Sequence, residues 1–137
     1  MTLNEKDRNA IIAIRLQRAK ETMIEVKGNV NLGYWRISAN RLYYACYYAV
    51  SALLIQNEFT AHTHAGVINQ LGLHFVSKGI VSKEHGKLFK QLFNLRQSGD
   101  YDDWIDINEN DVIPLIKPAE DFIAEIEHLI NNNSVNY

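Results

Sequence analysis

The chain has one cysteine, Cys46, among 137 residues, so it cannot close a disulfide on itself, and a reducing compartment suits it best. Two prolines and seven glycines leave few points at which a helix must break. No stretch alternates apolar and polar residues with the period of two that marks a half-buried strand. No uninterrupted apolar run approaches membrane-spanning length, and the charged start Met1-Thr2-Leu3-Asn4-Glu5-Lys6-Asp7-Arg8 has no signal-peptide core. The expected location is the cytoplasm, away from membranes. A Gly-rich phosphate loop, a Gly-x-Ser-x-Gly elbow and zinc-type Cys/His spacing are all missing. Internal repeats and low-complexity segments are missing too.

What is present is ordinary for one globular unit: 47% hydrophobic and 22% charged residues, enough to bury a core without disulfides or metals. One domain is expected over residues 1–130, with residues 131–137 as a frayed tail. The net charge of −2 argues against a generally nucleic-acid-binding surface, yet it hides an asymmetry. Residues 1–99 hold 13 Lys and Arg against 6 Asp and Glu, whereas residues 100–137 hold 1 against 10. A basic body thus precedes an acidic last third, and the simplest consequence is that the second packs back onto the first.

Periodicity predicts an all-α fold: an antiparallel up-and-down bundle of four long helices plus a short one. Thr2-Leu3-Asn4-Glu5 has capping-box form, and Ile12, Leu16, Ala19, Met23 and Val26 then recur at helical spacing. Gly28 to Gly33 reads as a connector. The second helix, from Trp35 to Gln56, is apolar almost all round and so should be central; Tyr43/Tyr47 and Tyr44/Tyr48 pair at i,i+4 on it. A shorter helix carries Val67, Ile68, Leu71 and Phe75 and ends at Ser77-Lys78-Gly79. Ser82 caps a fourth, which Gly99 is expected to stop, leaving Asp100 to Asp106 as loop. Asn108 or Asp111 caps the last helix, which Pro118 should kink.

The residues that point to chemistry gather where the fourth helix ends. Arg96 follows Leu92 by one turn and emerges at the edge of the buried stripe, with Asp100 at i+4. A partly buried arginine there is a preorganised fork for phosphate or carboxylate; the plain alternative is an ion pair with Asp100. Asp100, Asp102, Asp103 and Asp106 lack the spacing of a calcium loop. His62 and His64 lie two apart, the wrong interval for a helical metal pair, but either becomes a general base if the fold brings it to Arg96. No cofactor is expected. Asn40, which leads into the Tyr43 face of the second helix, and Tyr43 itself complete the candidate set for ligand binding.

Three blocks in this order resemble the HEPN family, the "higher eukaryotes and prokaryotes nucleotide-binding" domain in its small stand-alone prokaryotic form. They are Arg41-Leu42-Tyr43-Tyr44-Ala45-Cys46-Tyr47-Tyr48-Ala49, Thr63-His64-Ala65-Gly66-Val67, and Leu92-Phe93-Asn94-Leu95-Arg96-Gln97-Ser98-Gly99-Asp100-Tyr101. The resemblance implies a helical bundle and a homodimer in which two arginine motifs face one cleft. It also implies a nucleotide or RNA ligand, and a toxin–antitoxin pairing with a small nucleotidyltransferase partner. Ribonuclease members carry an arginine followed after four to six residues by a histidine. Here Arg96 matches, but Tyr101 stands where the histidine would fall, and a phenol of pKa near ~10 is a poor base at neutral pH. Phosphate binding at Arg96, Asp100 and Tyr101 therefore transfers more readily than catalysis, and Tyr101 becomes the candidate for modification by the partner. Two other readings follow from the residues: a metal-independent ribonuclease in which His64 replaces the missing histidine, and a structural interaction protein whose Arg96 only bonds Asp100.

Overall fold

Asn4 starts the first helix. In the computed structural model, which describes residues 3–135, its Oδ1 accepts from Asp7 N at 2.8 Å, and α1 runs over Glu5–Asn31. Thr2, part of the expected capping box, lies outside the described residues. Gly28 does not end α1 as expected. The helix continues one turn to Asn31, and the chain reverses at Gly33, whose φ of +74° only glycine adopts without strain. The second helix, α2, spans Trp35–Gln56; α3 spans His64–Leu71 and runs on as a π-helical turn, Gly72–Val76. It ends at Ser77-Lys78-Gly79, with Gly79 at φ +73°. Ser82 caps α4 (Lys83–Tyr101), accepting from His85 N, and α5 covers Glu109–Val135.

The fold is all-α, with four long helices and one short one, and no strand among the described residues. Helix α2 is central: Ala39, Leu42, Tyr43, Ala45, Cys46, Ala49, Val50 and Ala52 are fully buried, and α2 packs against α1, α4 and α5. The small residues let neighbouring backbones approach closely, while Tyr43, stacked on Phe89 at 5.6 Å, fills the space between α2 and α4. Burial holds the Cys46 thiol well above its usual range, which keeps it protonated and inert.

The expected end of α4 needs correction. Gly99 does not stop α4, which continues to Tyr101, so Asp100 and Tyr101 are helical and the loop starts at Asp102. Glycine lets the loop pack closely there: a Cβ would lie 2.5 Å from Ile107 Cδ1, the end of the side chain that the loop tucks against α4, which would have to shift. The last helix continues beyond Asn131 to Val135. Helix α5 begins at Glu109 and runs through Pro114 and Pro118 to Val135. Asn108 and Asp111 share its cap, Asn108 Oδ1 accepting from Asn110 N at 2.9 Å and Asp111 Oδ2 from Asn108 N at 3.0 Å.

The acidic last third does pack onto the basic body. Lys20 meets Glu127 at 2.6 Å, Lys27 meets Glu120 at 3.3 Å, and His85 meets Glu125 at 2.9 Å. No helix among the described residues is long and apolar enough to cross a membrane.

The two helical glycines of α1 and α4 should answer differently to alanine. Gly28→Ala meets nothing within 4 Å and should stabilise the chain by about 0.5–1 kcal/mol through helix propensity. Gly99→Ala must displace buried Ile107 and should lose about 1 kcal/mol after the same propensity gain, since overpacking costs about 1–3 kcal/mol. Urea unfolding midpoints check both signs.

Candidate functional site

Side chains from α2, α3 and α4 converge at the start of α2 and the end of α4. Helix α4 supplies Phe93, Arg96, Asp100 and Tyr101, and its continuation past Gly99 puts Asp100 one helical turn above Arg96. Arg96 Nε lies 3.0 Å from Asp100 Oδ2. That Nε is buried and its N–H is turned off the line to the oxygen, so the contact is an ion pair without a directed hydrogen bond. Asn40 Nδ2 instead donates to Asp100 Oδ2 at 2.9 Å, and Asn40 Oδ1 accepts from Arg41 Nε and Nη2 at 3.1 and 2.9 Å. Arg41 in turn reaches Glu25 of α1 at 3.7 Å. A polar chain therefore runs from α1 through α2 to α4 and sets where Asp100, and with it Arg96, can sit.

Aromatic rings surround the arginine. Its guanidinium carbon stands 5.4 Å from the Tyr44 ring centroid, 5.5 Å from Tyr101 and 6.0 Å from Tyr43, within cation–π range. Only 11% of the Arg96 side chain is exposed, and among the described residues it makes no hydrogen bond. A guanidinium has five N–H donors and no means of losing its charge. Here they are held in place by rings and one carboxylate, an arrangement chemically able to hold an anion.

His64 reaches the same cluster from α3, where Thr63 caps the helix by accepting from Gly66 N at 2.9 Å. His64 Nδ1 lies 2.7 Å from the Tyr43 hydroxyl, and its ring is in contact with Tyr43, Tyr44, Tyr47 and Phe93. Burial, then the positive charge of Arg96, push the His64 pKa below the ordinary imidazole value. The Tyr43 phenol is pushed well above its usual range, by burial first and then by Tyr47 and Tyr44, against the opposing pull of Arg96. A protonated phenol facing a neutral imidazole donates to Nδ1, which leaves the His64 proton on Nε2.

Each candidate thus has a place. Arg96, Asp100, Tyr101, Asn40, Tyr43 and His64 all belong to this one cluster. Tyr43, however, is fully buried and its hydroxyl is used by His64, so it supports the site from beneath and does not line it. Asn40 spends both ends of its amide inside the polar chain. Tyr101, by contrast, is 71% exposed. His62 is exposed and takes no part. The acidic residues around Asp102 do not gather into a metal-ligand group; among the described residues no three His, Cys, Asp or Glu side chains do.

Residues 12–129 match the family model described as HEPN domain. The chain belongs to the HEPN family. It is 35% identical over 130 residues to the "UPF0332 protein" of Thermotoga maritima, across 95% of this chain and 97% of that protein. It is also similar to two proteins of Methanocaldococcus jannaschii, each named a "putative toxin". One is 32% identical across 72% of this chain and 73% of its own length, the other 27% identical across 86% and 81%.

Within this HEPN chain, the residues that sequence reasoning left out of the site are Tyr44, Arg41 and Phe93. Tyr44 carries two guanidinium groups, Arg96 at 5.4 Å and Arg41 at 5.1 Å. The i,i+3 interval from Arg41 to Tyr44 was the available signal; the approach of Arg96 from another helix had none.

His64 gives a pH prediction. Its pKa is lowered on folding, so below the unfolded imidazole value of ~6.5 the unfolded chain binds more protons and stability rises with pH. The His64 contribution is complete above that value and is lost as pH falls through the folded pKa, where a second cation would face Arg96 among Tyr43, Tyr44 and Tyr47. Wild-type unfolding free energy should therefore fall more steeply from pH 7 to 5 than that of His64→Gln, read by urea denaturation at fixed ionic strength; parallel curves would contradict the assignment.

Proposed function

We propose that this HEPN protein binds the phosphate of a nucleotide or RNA at Arg96, as a homodimer and as the toxin-like half of a pair with a small nucleotidyltransferase. The observation that carries the reading is the Arg96 guanidinium itself: partly buried, ringed by Tyr43, Tyr44 and Tyr101, and without a hydrogen-bond acceptor among the described residues. Asp100 orients it, and Asn40 draws off part of the carboxylate's hydrogen-bonding capacity, so guanidinium N–H donors are left for an incoming anion. The His64 Nε2–H would add a second donor. Residues 1–130 act as one domain in this reading, in a cytoplasmic setting.

Dimerisation is supported by exposed apolar surface near the site: Tyr101, Ile105 and Ile37 are exposed, and Trp104 is 97% so. A second copy covering them would set two Arg96 side chains about one cleft. The names of the Methanocaldococcus relatives support the toxin-like role, and the exposed Tyr101 hydroxyl supports modification by the partner. Such modification would place bulk and charge at the mouth of the Arg96 site and block it.

A second reading, metal-independent cleavage of RNA by Arg96 with His64, draws on their shared contact with Tyr43 and Tyr44. With its proton on Nε2, His64 would enter as an acid or hydrogen-bond donor; a basic role requires the tautomer to switch.

Arg96→Ala should weaken nucleotide or RNA binding about ten- to hundredfold, the worth of a charged hydrogen-bonding group, with Arg96→Lys intermediate because the fork is lost but the charge kept. Unchanged affinity in Arg96→Ala would reject phosphate anchoring. Cleavage of RNA in chelator, lost in both Arg96→Ala and His64→Ala, would establish the second reading; its absence in wild type would leave binding alone.

A further inference from the structure

Helix α1 shows two charged sides. Lys20 and Lys27, seven residues apart and so on one face, are neutralised by Glu127 and Glu120 of α5. Arg8, Arg15 and Arg18 lie on another side, along the seam with α2. There Arg18 stands 5.9 Å over the Tyr48 ring and Arg15 Nη1 donates to Ser51 Oγ at 3.2 Å. Arg41 stands 5.1 Å over Tyr44, the ring that also carries Arg96. Read along α2, the order is Arg96 and Arg41 at Tyr44, then Arg18 at Tyr48, then Arg15 at Ser51. Tyr44 to Ser51 is seven residues of helix, about 10 Å.

Carboxylates sit at the margins of this row. Asp100 and Glu25 flank Arg96 and Arg41, and Glu58 holds Arg8 at 2.9 Å. Between them, Arg15 and Arg18 have no ion-pair partner among the described residues. The row ends in a cavity of about 530 Å³ whose walls include Arg15, Tyr47, Ser51 and Phe59, within the usual 300–1,000 Å³ of small-molecule sites. Guanidinium groups alternating with half-buried tyrosine rings make the combination that single-stranded nucleic acid uses: cations for successive phosphates, ring faces and edges for bases. The spacing along one helix suits a flexible single strand better than a duplex, which would meet a wider surface.

We propose that the α1–α2 seam is a track for single-stranded RNA, which leaves the Arg96 anchor over Tyr44, passes Arg18 and Tyr48, and lodges a base or sugar in the cavity at Arg15 and Ser51. It rests on the reading of Arg96 as a phosphate anchor and adds to it a ligand several nucleotides long. The anchor holds one phosphate, whereas the track makes affinity depend on length.

The test compares AMP with an unstructured RNA of about eight nucleotides on the full chain, by fluorescence anisotropy and competition. Arg15→Ala/Arg18→Ala should weaken RNA binding about tenfold or more and make the log–log salt dependence shallower by about 1.4, the equivalent of two single-strand phosphate contacts. AMP binding should stay unchanged. Arg15→Lys/Arg18→Lys should recover most of the salt slope, which a folding defect would not allow. RNA affinity insensitive to these changes, while Arg96→Ala still weakens AMP, would overturn the track and leave the anchor. A change of oligomeric state in the double variant with RNA affinity intact would overturn it in favour of an interface between copies. If Arg96→Ala alters neither ligand, anchor and track fall together.

Discussion

A phenol buried in the middle of a helical bundle must find a hydrogen-bond partner or cost about 1–3 kcal/mol, and much of this structure follows from how Tyr43 finds one. Its ring stacks on Phe89 in the core, and its hydroxyl meets His64 at the start of α3. That bond fixes the imidazole, and the burial that makes it necessary also keeps the phenol protonated. Arg96 and Tyr44 then pack against the same ring. Core and site are thus a single arrangement: the residues that fill the bundle between α2 and α4 are the ones that hold the arginine.

Charge is distributed on the same economical plan. The acidic helix α5 neutralises the lysine side of α1 and leaves its arginine side to the seam with α2. The near-neutral total therefore conceals a row of arginines along the tyrosines of α2. Arginine suits such a place because it is weakly hydrated, stacks on rings and stays charged when partly buried. Lysine, on the opposite side, serves solvent-screened pairs in which little energy is at stake.

Much of this was legible in the residues. The apolar periods located all five helices, the all-round apolar character of Trp35 to Gln56 marked the central one, and Ser82 and the Asn108/Asp111 pair marked helix starts. Errors concentrated at glycine. Gly28 and Gly99 read as stops because glycine commonly ends helices, yet both lie inside them, Gly99 where a Cβ would press on Ile107. Moving that boundary changed the site, since it placed Asp100 one ordered turn from Arg96. The candidate site residues lie in one cluster, but their parts differ from a simple lining: Tyr43 goes inside, and Asn40 turns to its neighbours.

The sequence by itself determined what short-range physics decides: helix content, the central helix, the caps, the split between basic body and acidic last third, and the likeness to the HEPN family. Those depend on residues a few positions apart, where spacing and chemistry are enough. Only the tertiary structure decided which rings surround Arg96, that its Nε–H is left without a directed acceptor, that His64 pairs with Tyr43, and which side of α1 keeps its charge. Each of these joins residues from different helices, and a helical period records which face a residue occupies without recording what that face will meet.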